Sequence, residues 1–314
     1  MPALDSSILV AFLEAGDQPV SGDRLAKELG ISRVAVWSRL ERLRAAGFTF
    51  KASTRKGYIL TDVPRELNAA WLGAQLRRRK VAPEVELLAE VDSTNSEAER
   101  RLATGQEAPF AVLARAQSAG RGRLDRKFDA PASSALMFSL YIQPQREKSD
   151  WSFLPLLTGL SAIFALMKLE PESSPTLKWP NDILLGDGKV GGIIAQVSGD
   201  GVIIGVGINV GMTEEELPVP HATSLALHQF STLDRNLILS TFLTTFEELF
   251  TRWQNGEDLR HLYNERSATI GCDIRIELPD GTHKNGKAVD VTPAGELILE
   301  DGSRVTVGDI VHLR

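Results

Sequence analysis

The first 64 residues carry three helical patterns of hydrophobic positions followed by a hairpin pattern. Leu4, Ile8 and Phe12 recur at every fourth position, which predicts a helix with one buried face. Two further amphipathic runs follow, each preceded by a serine that can cap a helix and followed by a glycine that can end it. Two β-like runs, 48–52 and 57–60, then flank a short polar tip. This order predicts a winged helix-turn-helix domain.

Between residues 65 and 266 the pattern mixes helices with near-continuous apolar runs. Such runs are typical of strands that are covered on both faces. The apolar stretch 151–167 contains Pro155 and Gly159 and, at about 17 residues, is short for a membrane span. We therefore expect it to be a buried helix packed across a sheet. The strands are predicted at 85–91, 110–116, 135–142, 189–197 and 202–210.

From residue 267 onwards the pattern changes to short alternating strands. Asp280-Gly281 and Asp301-Gly302 lie between alternating runs, which is a strong hairpin signal. About fifty residues of this kind predict a small β-barrel. The sequence therefore predicts an α+β protein of three domains, with a winged helix-turn-helix over 1–64, an α/β domain over 65–266 and a barrel over 267–314.

Composition and charge add two points to this picture. The single cysteine, Cys272, excludes an intramolecular disulfide framework and suits a reducing cytoplasm. The net charge is −6, yet residues 24–58 contain nine basic and two acidic residues, a local net charge of +7. A basic segment in an acidic chain favours contact with phosphate, although a solvated face of an ordinary helical domain is the alternative.

The basic segment coincides with the third predicted helix and the tip of the wing. Basic side chains so placed neutralise DNA phosphates while the helix enters the major groove. We expect Arg33, Arg39, Arg42 and Arg44 to be exposed on the helix, together with Arg55 and Lys56 on the wing. The predicted DNA-binding residues are Ser32, Arg33, Val34, Trp37, Arg39, Arg55 and Lys56.

Familiar catalytic motifs are absent, but segment 117–128 combines glycines with a high density of cations. The sequence has no G-x-x-x-x-G-K-[ST], H-E-x-x-H or G-x-S-x-G. Arginines at this density clamp phosphate or carboxylate groups, and glycines let a loop approach a ligand closely. The alternative interpretations of this segment are a solvated basic loop and an RNA contact. The segment holds Gly120, Arg121, Gly122, Arg123, Arg126 and Lys127.

Three other short segments carry candidate chemistry. Residues 92–95 follow a strand and offer either a helix cap or hydroxyl and amide donors. Residues 178–182 place a lysine before a proline, at a cleft rim or simply at a strand end. The glycines of 189–193 and 205–209 lie inside β runs, where they mark close approach of a ligand or a second backbone.

Taken in order, these segments resemble the biotin protein ligases. The matching motifs are D-S-T-N, Q-S-A-G-R-G-R, K-W-P-N-D, K-V-G-G-I and G-V-G-I-N. With a winged helix ahead and a small barrel behind, the whole chain is similar to the bifunctional ligases that also repress biotin operons. The resemblance implies a central domain related to class II aminoacyl-tRNA synthetases and an SH3-like C-terminal barrel. It also implies ATP- and Mg²⁺-dependent formation of biotinyl-5′-AMP and transfer of biotin to a lysine of the biotin carboxyl carrier protein of acetyl-CoA carboxylase.

The resemblance also assigns residues, although it assigns no metal ligand. Phe128 departs from the family pattern, since some members carry a tryptophan that stacks near the adenine. The implied catalytic residues are Arg121, Arg123 and Lys178. The implied biotin contacts are Ser93, Thr94, Asn95, Gln117, Arg121, Gly122, Arg123, Lys178, Gly205 and Gly207. The implied nucleotide contacts are Arg123, Arg126, Phe128, Asn181, Asp182 and Asn209.

The resemblance further implies a cytoplasmic protein without membrane contact. When bound to biotinyl-5′-AMP it would form a homodimer that binds operator DNA through residues 1–64. Two alternatives stand beside this interpretation. A lipoate or octanoyl ligase or transferase would share the fold, but the winged helix and the G-R-G-R loop argue against it. A transcription factor whose central domain only senses a ligand would bind without turnover.

Overall fold

A computed structural model of the chain describes residues 2–53, 56–64, 66–79, 83–123 and 126–313. The α-helices in these ranges are α1 Pro2–Ala15, α2 Gly22–Leu29, α3 Arg33–Ala45, α4 Ala69–Arg79, α5 Thr94–Ala103, α6 Leu154–Leu169, α7 Arg235–Gln254 and α8 Arg260–Arg266. The strands are β1 Thr49–Ser53, β2 Gly57–Asp62, β3 Glu84–Val91, β4 Phe110–Gln117, β5 Ala135–Ile142, β6 Pro175–Lys178, β7 Asp182–Leu185, β8 Gly188–Ser198, β9 Gly201–Asn209, β10 Asp273–Glu277, β11 His283–Val291, β12 Leu297–Leu299, β13 Arg304–Val305 and β14 Asp309–His312.

The N-terminal part folds as α1, α2 and α3 followed by the antiparallel hairpin β1–β2. The Ser32 hydroxyl accepts a hydrogen bond from the Ala35 amide at 3.1 Å and so caps α3. Gly30 ends α2 with φ of 64°, a left-handed conformation that glycine adopts without strain. The local sequence therefore folds as predicted, and the helix-turn-helix is confirmed.

The exposure of the α3 arginines differs from the prediction. Arg39 donates to the buried Asp5 carboxylate of α1 at 3.0 Å, and its side chain is 18% exposed. The Arg44 guanidinium lies over the rings of Phe50 and Tyr58. A buried carboxylate needs an ionic partner, and an arginine stem readily covers aromatic surface. The prediction that Arg39 and Arg44 are exposed is therefore wrong.

The other end of the predicted DNA-binding surface is open to solvent. Arg33 is exposed, and the apolar side chains of Val34 and Trp37 beside it are 74% and 55% exposed. Lys56 is exposed at the wing, whereas Arg55 lies outside the described residues. The N-terminal half of α3 is therefore the part of the predicted DNA-binding surface that is accessible to a ligand.

Helix α4 joins the N-terminal core to the central core. Its Trp71 and Ala74 pack in the N-terminal hydrophobic cluster, with the Trp71 ring 6.0 Å from that of Phe48. On the opposite face Leu72 and Leu76 pack in the central cluster. One helix thus contributes apolar side chains to both cores.

The central part is a seven-stranded mixed sheet in the order β3-β4-β5-β9-β8-β7-β6. Among the ladders of the described residues in this sheet, the β3–β4 pair is parallel and the other pairs are antiparallel. Alternate residues of β4 face opposite sides, so Leu113 joins the core with α6 and α7 while Val112 joins α5. The predicted strands are confirmed to within one residue at each end.

The apolar helix of the central part packs inside the protein. The segment Lys148–Leu169, a 3₁₀ turn followed by α6, is long and apolar enough to cross a membrane, but 67% of its most apolar window is buried. Its side chains pack with α7 and β8. This confirms the prediction of a buried helix across the sheet.

The C-terminal part is a five-stranded antiparallel sheet in the order β13-β12-β11-β10-β14. Gly281 and Gly302 have φ near 80° in the predicted Asp-Gly turns. The barrel is not confirmed, because no ladder joins β13 to β14 within the described residues and the sheet is open. Its apolar side chains, including Ile274 and Ile310, belong to the same core as the central sheet.

Candidate functional site

A cavity of about 460 Å³ opens over strands β8 and β9 of the central sheet. The turn before α5, the basic loop after β4, the end of β6 and the first residues of β14 complete its wall. Every residue predicted to contact biotin or nucleotide lines it: Ser93, Thr94, Asn95, Gln117, Arg121, Gly122, Arg123, Arg126, Phe128, Lys178, Asn181, Asp182, Gly205, Gly207 and Asn209. The structure therefore brings together all five motifs, while their individual roles remain predictions.

The turn that opens α5 is fixed by charged groups at its outer edge. Asp92 accepts the Ser93 amide at 2.7 Å and two hydrogen bonds from the Arg100 guanidinium. These bonds hold the pKa of Asp92 at about 2, so the carboxylate stays ionised at neutral pH. Ser93 precedes α5, but its side chain does not cap the helix. Its buried hydroxyl instead lines the cavity.

The polar end of the cavity is a buried network on β4, β5 and α5. The Ser139 hydroxyl lies 2.7 Å from Thr94 Oγ1 and 2.6 Å from Asn95 Oδ1. The Thr94 amide donates to Gln117 Oε1 at 2.7 Å. A Cβ atom on Gly205 would lie 2.1 Å from Asn95 Oδ1, so this close packing requires glycine.

The basic loop is folded over the cavity. The Phe128 amide donates to the Gly120 carbonyl at 3.0 Å, and the Gly122 amide donates to the Arg126 carbonyl at 2.7 Å. The Phe128 ring lies against Gly207, where a Cβ atom would be 2.6 Å from it. Residues 124 and 125 lie outside the described residues. An aromatic ring and three arginines thus cover one side of the cavity.

Arg123 lies at the centre of the charged side of the cavity. Its guanidinium donates to Asn181 Oδ1 at 3.1 Å and lies 3.5 Å from the Asp309 carboxylate. Burial lowers the pKa of Arg123 below its ordinary value, and the carboxylates of Asp309 and Asp182 offset this shift only in part. An arginine in this position stays charged at neutral pH and can meet a phosphate.

Lys178 is the last residue of β6 and lines the same cavity. Burial and the nearby Lys178 ammonium lower the pKa of His312 on β14. Its buried Nε2 atom has no hydrogen-bond partner in the part of the chain that the structure describes. The imidazole is therefore neutral at neutral pH and adds no charge beside the lysine.

Sequence reasoning missed three side chains that complete this site. Lys189 binds Asp182 at 2.5 Å and lines the cavity. The sequence places Lys189 in the K-V-G-G-I motif but predicts no role for this lysine. Ser139 could have been found as the lone polar residue in an otherwise apolar strand, β5. Asp309, which pairs with Arg123 and Arg126, has no local signal because its partners are more than 180 residues away.

The Asp309 contacts are expected to hold the basic loop closed in the free protein. Asp309→Asn should raise the rate of tryptic cleavage within residues 121–127 about threefold, since half-exposed ion pairs contribute little and cleavage tracks loop opening. The rate is measured by mass spectrometry of timed digests. Glu277→Gln is the matched control, because Glu277 lines the same cavity but pairs with Arg275. Equal cleavage of Asp309→Asn and wild type would contradict the expected role.

The described residues do not provide an evident metal site. Within them there is no group of three or more His, Cys, Asp and Glu side chains that could hold a metal ion. Asp182, the one carboxylate among the predicted nucleotide contacts, is already paired with Lys189.

The fold and the cavity define a protein with a helix-turn-helix and a ligand site on a mixed sheet. Residues 87–212 match the Biotin/lipoate A/B protein ligase family, and residues 6–59 match the HTH domain family. The biotin–[acetyl-CoA-carboxylase] ligase of Mycobacterium tuberculosis is 37% identical over 239 residues, which are 74% of this chain and 90% of that protein.

Two further comparisons extend this result. The bifunctional ligase/repressor BirA of Bacillus spizizenii is 28% identical over 95% of this chain and 94% of its own length. The structure of biotin protein ligase from Aquifex aeolicus in complex with biotin and ATP has a TM-score of 0.65 at 27% identity, covering 74% of this chain and all of that one. The chain therefore belongs to the biotin protein ligase family.

Proposed function

We propose that the protein joins biotin to ATP to form biotinyl-5′-AMP and then transfers biotin to a lysine of the biotin carboxyl carrier protein of acetyl-CoA carboxylase. The observation that carries this proposal is the convergence of all the predicted biotin and nucleotide residues on one cavity. The relatives named for biotin ligation and the homologous complex with biotin and ATP support it.

The charges of the cavity suit the first step. A biotin carboxylate oxygen forms a bond to the α-phosphorus of ATP while the bond from that phosphorus to the pyrophosphate leaving group breaks. Two anions must approach, so Lys178, Arg121 and Arg123 would reduce their repulsion and stabilise the charge that develops. ATP would bring Mg²⁺ on its own phosphates, as Mg²⁺ commonly binds through a substrate.

The second step needs protection from water rather than a protein nucleophile. The carrier lysine amine attacks the activated carbonyl of biotin, and AMP leaves with the bonding electrons. Water would destroy the same mixed anhydride, so the loop that includes Gly122 and Phe128 would exclude it. Positioning of the reacting groups can account for about 7–11 kcal/mol of such a barrier.

The polar end of the cavity favours biotin over lipoate or an octanoyl group. Ser93, Thr94 and Asn95 are buried there, and within the described part of the chain Asn95 Nδ2 has no hydrogen-bond partner. Biotin ends in a cyclic urea, which can bond with such groups, whereas a lipoyl or octanoyl chain ends in an apolar segment. Sites that hydrogen-bond a substrate reject analogues that lack the bonding group, because buried polar groups are then left unpaired.

Purified full-length protein incubated with ATP, labelled biotin and a carrier domain tests this proposal. We expect pyrophosphate release, biotinyl-5′-AMP and labelled carrier. Replacing biotin by lipoate tests the alternative that the protein is a lipoate ligase. Binding of biotin without pyrophosphate release would support the other alternative, a transcription factor whose central domain senses a ligand without catalysis.

We also propose that the N-terminal domain represses biotin genes by binding operator DNA. The match to the HTH domain family and the exposed end of α3, with Arg33, Val34 and Trp37, support this function. Contacts by Ser32, Arg55 and Lys56 remain part of the proposal, whereas the Arg39 guanidinium is bound to Asp5 and is left out of it. We further propose that the protein is cytoplasmic and does not contact a membrane. The division into domains at 1–64, 65–266 and 267–314, with an SH3-like C-terminal domain, is also proposed.

Biotinyl-5′-AMP is expected to strengthen a homodimer that binds a two-part operator. Two winged helices held in one dimer raise DNA affinity through effective concentration, if the half-site spacing matches. The adenylate can do this only by binding the dimerising conformation better, and each tenfold gain in dimerisation needs about 1.4 kcal/mol of preference. Sedimentation with and without biotinyl-5′-AMP measures it. An unchanged monomer–dimer constant would remove the corepressor mechanism and leave the ligase proposal standing.

A further inference from the structure

We infer that Ser139 is a positioning residue that orders the hydrogen-bond donors and acceptors at the polar end of the cavity for a cyclic urea. The inference deepens the proposed function, on which it rests. Ser139 lies in the middle of β5, is fully buried and is paired in register with Gly205 on β9. Its hydroxyl contacts two side chains of α5 that line the cavity, Thr94 and Asn95.

The direction of these two hydrogen bonds follows from the groups involved. A serine hydroxyl carries one proton, and an amide oxygen can only accept. The proton of Ser139 therefore goes to Asn95 Oδ1, 2.6 Å away. The contact of 2.7 Å with Thr94 Oγ1 is then a bond in which the Thr94 hydroxyl donates to Ser139. The three side chains form one chain of donors, from Thr94 through Ser139 to Asn95.

This order decides what remains for a ligand. Asn95 keeps both N–H groups of Nδ2 free, because that buried atom has no hydrogen-bond partner among the described residues. Thr94 Oγ1 has used its proton, so toward the cavity it can only accept. An amide donor beside a hydroxyl acceptor is complementary to a urea, whose carbonyl accepts and whose N–H groups donate. Without Ser139 the Thr94 proton and the Asn95 amide would be free to turn, and this complementarity would be lost.

Asn95 is also held in place by its packing. Its Oδ1 atom lies over the backbone of Gly205, where a Cβ atom would approach to 2.1 Å. Rotation of the amide is therefore limited on the sheet side by contact with β9, and on the other side by the Ser139 bond. Ser139 itself is 0% exposed, so it acts through Thr94 and Asn95 and does not contact the ligand.

Ser139→Ala is expected to raise the KM for biotin about tenfold, or about 1.4 kcal/mol, while the KM for ATP stays within twofold. Pyrophosphate release by the full-length protein, measured at varied biotin and varied ATP, gives both values. Ser139→Cys keeps a donor, although a weaker one on a somewhat larger side chain, so we expect an intermediate KM for biotin. This second variant keeps the test valid if Ser139→Ala proves insoluble.

Ser161→Ala is the matched control. Ser161 is also fully buried, but its hydroxyl donates to the Leu157 carbonyl within α6, and it does not line the cavity. We expect both KM values of this variant to equal those of the wild type. In an Asn95→Ala background, Ser139→Ala should raise the KM for biotin by a smaller factor than in the wild type, because only the path through Thr94 then remains.

Two results would overturn the inference. One is a KM for biotin within twofold of wild type in both soluble Ser139 variants. The other is an equal rise of the KM values for biotin and ATP, which indicates a general loss of structure. Failure of the proposed function gives a different result, because the wild-type protein would then form no biotinyl-5′-AMP.

Discussion

Lys178→Ala is expected to lower the rate of biotinyl-5′-AMP formation by about 10²- to 10³-fold, the loss typical of removing one group that stabilises charge in a transition state. Lys178 ends β6 at the cavity, beside Asn181 and Asp182. Its ammonium would meet the biotin carboxylate and the α-phosphate at the moment when their charges approach. The loss should appear mainly in kcat, since the interaction is strongest in the transition state.

Arg123→Ala should also remove most adenylate formation, and the adenylate that forms should escape faster. The two effects arise together because the Arg123 guanidinium both supplies charge and ties the basic loop to Asn181 and Asp309. Single-turnover formation of biotinyl-5′-AMP measures the first effect. Release of labelled adenylate, followed by rapid filtration, measures the second.

Matched variants outside the cavity separate these effects from a general loss of charge. Lys168 of α6 pairs with Glu248, and Arg252 of α7 pairs with Glu257; these four residues are not among those that line the cavity. Lys168→Ala and Arg252→Ala should leave the rate within twofold of wild type. Near-normal adenylate synthesis by both Lys178→Ala and Arg123→Ala would refute the assigned catalytic residues.

Removal of residues 1–64 should abolish DNA binding while ligation stays measurable. Every residue that lines the cavity lies beyond Pro64, so the chemistry is retained. The structure adds a cost in stability, because the deletion uncovers Trp71 and Ala74, which pack against the removed core. We expect operator binding to disappear in a gel-shift assay and the melting temperature to fall by several degrees, as an exposed aromatic face implies.

A full-length variant gives the same test without uncovering α4. Trp37→Ala together with Val34→Ala changes only exposed side chains of α3, so folding and ligation should be unaffected. DNA binding should weaken at least tenfold, since apolar side chains of a recognition helix contact thymine methyl groups. Operator binding by a soluble fragment lacking residues 1–64 would show that DNA binds elsewhere.

Local sequence signals predicted the elements of this fold well. Gly30 ends α2 and Ser32 begins α3, as predicted, because capping depends on the residue itself and its immediate neighbours. Strand β5 has the predicted bounds because an apolar run broken only by Ser139 is typical of a strand that is buried on both faces. The motif segments likewise lie at strand ends and turns, which is why the cavity could be predicted as a set.

Contacts between distant segments could not be predicted in the same way. Asp5 binds Arg39 across 34 residues, and Asp309 binds Arg126 across 183, so neither pair leaves a periodic or local trace. Whether the C-terminal strands form an open sheet or a closed barrel depends on how the two edge strands meet in space. The alternation of hydrophobic residues does not determine this. Single polar residues inside apolar strands, such as Ser139, are a signal that merits more weight.

The position of α4 has a consequence for the choice of operator. Since α4 carries side chains of both cores, we expect α3 to keep a fixed angle to the central sheet instead of moving on a flexible tether. In a homodimer the separation of the two α3 helices would then be set by the subunit contact alone. Such a dimer accepts little variation in half-site spacing, and an insertion of about 5 bp, half a turn of DNA, would turn one half-site away from its helix.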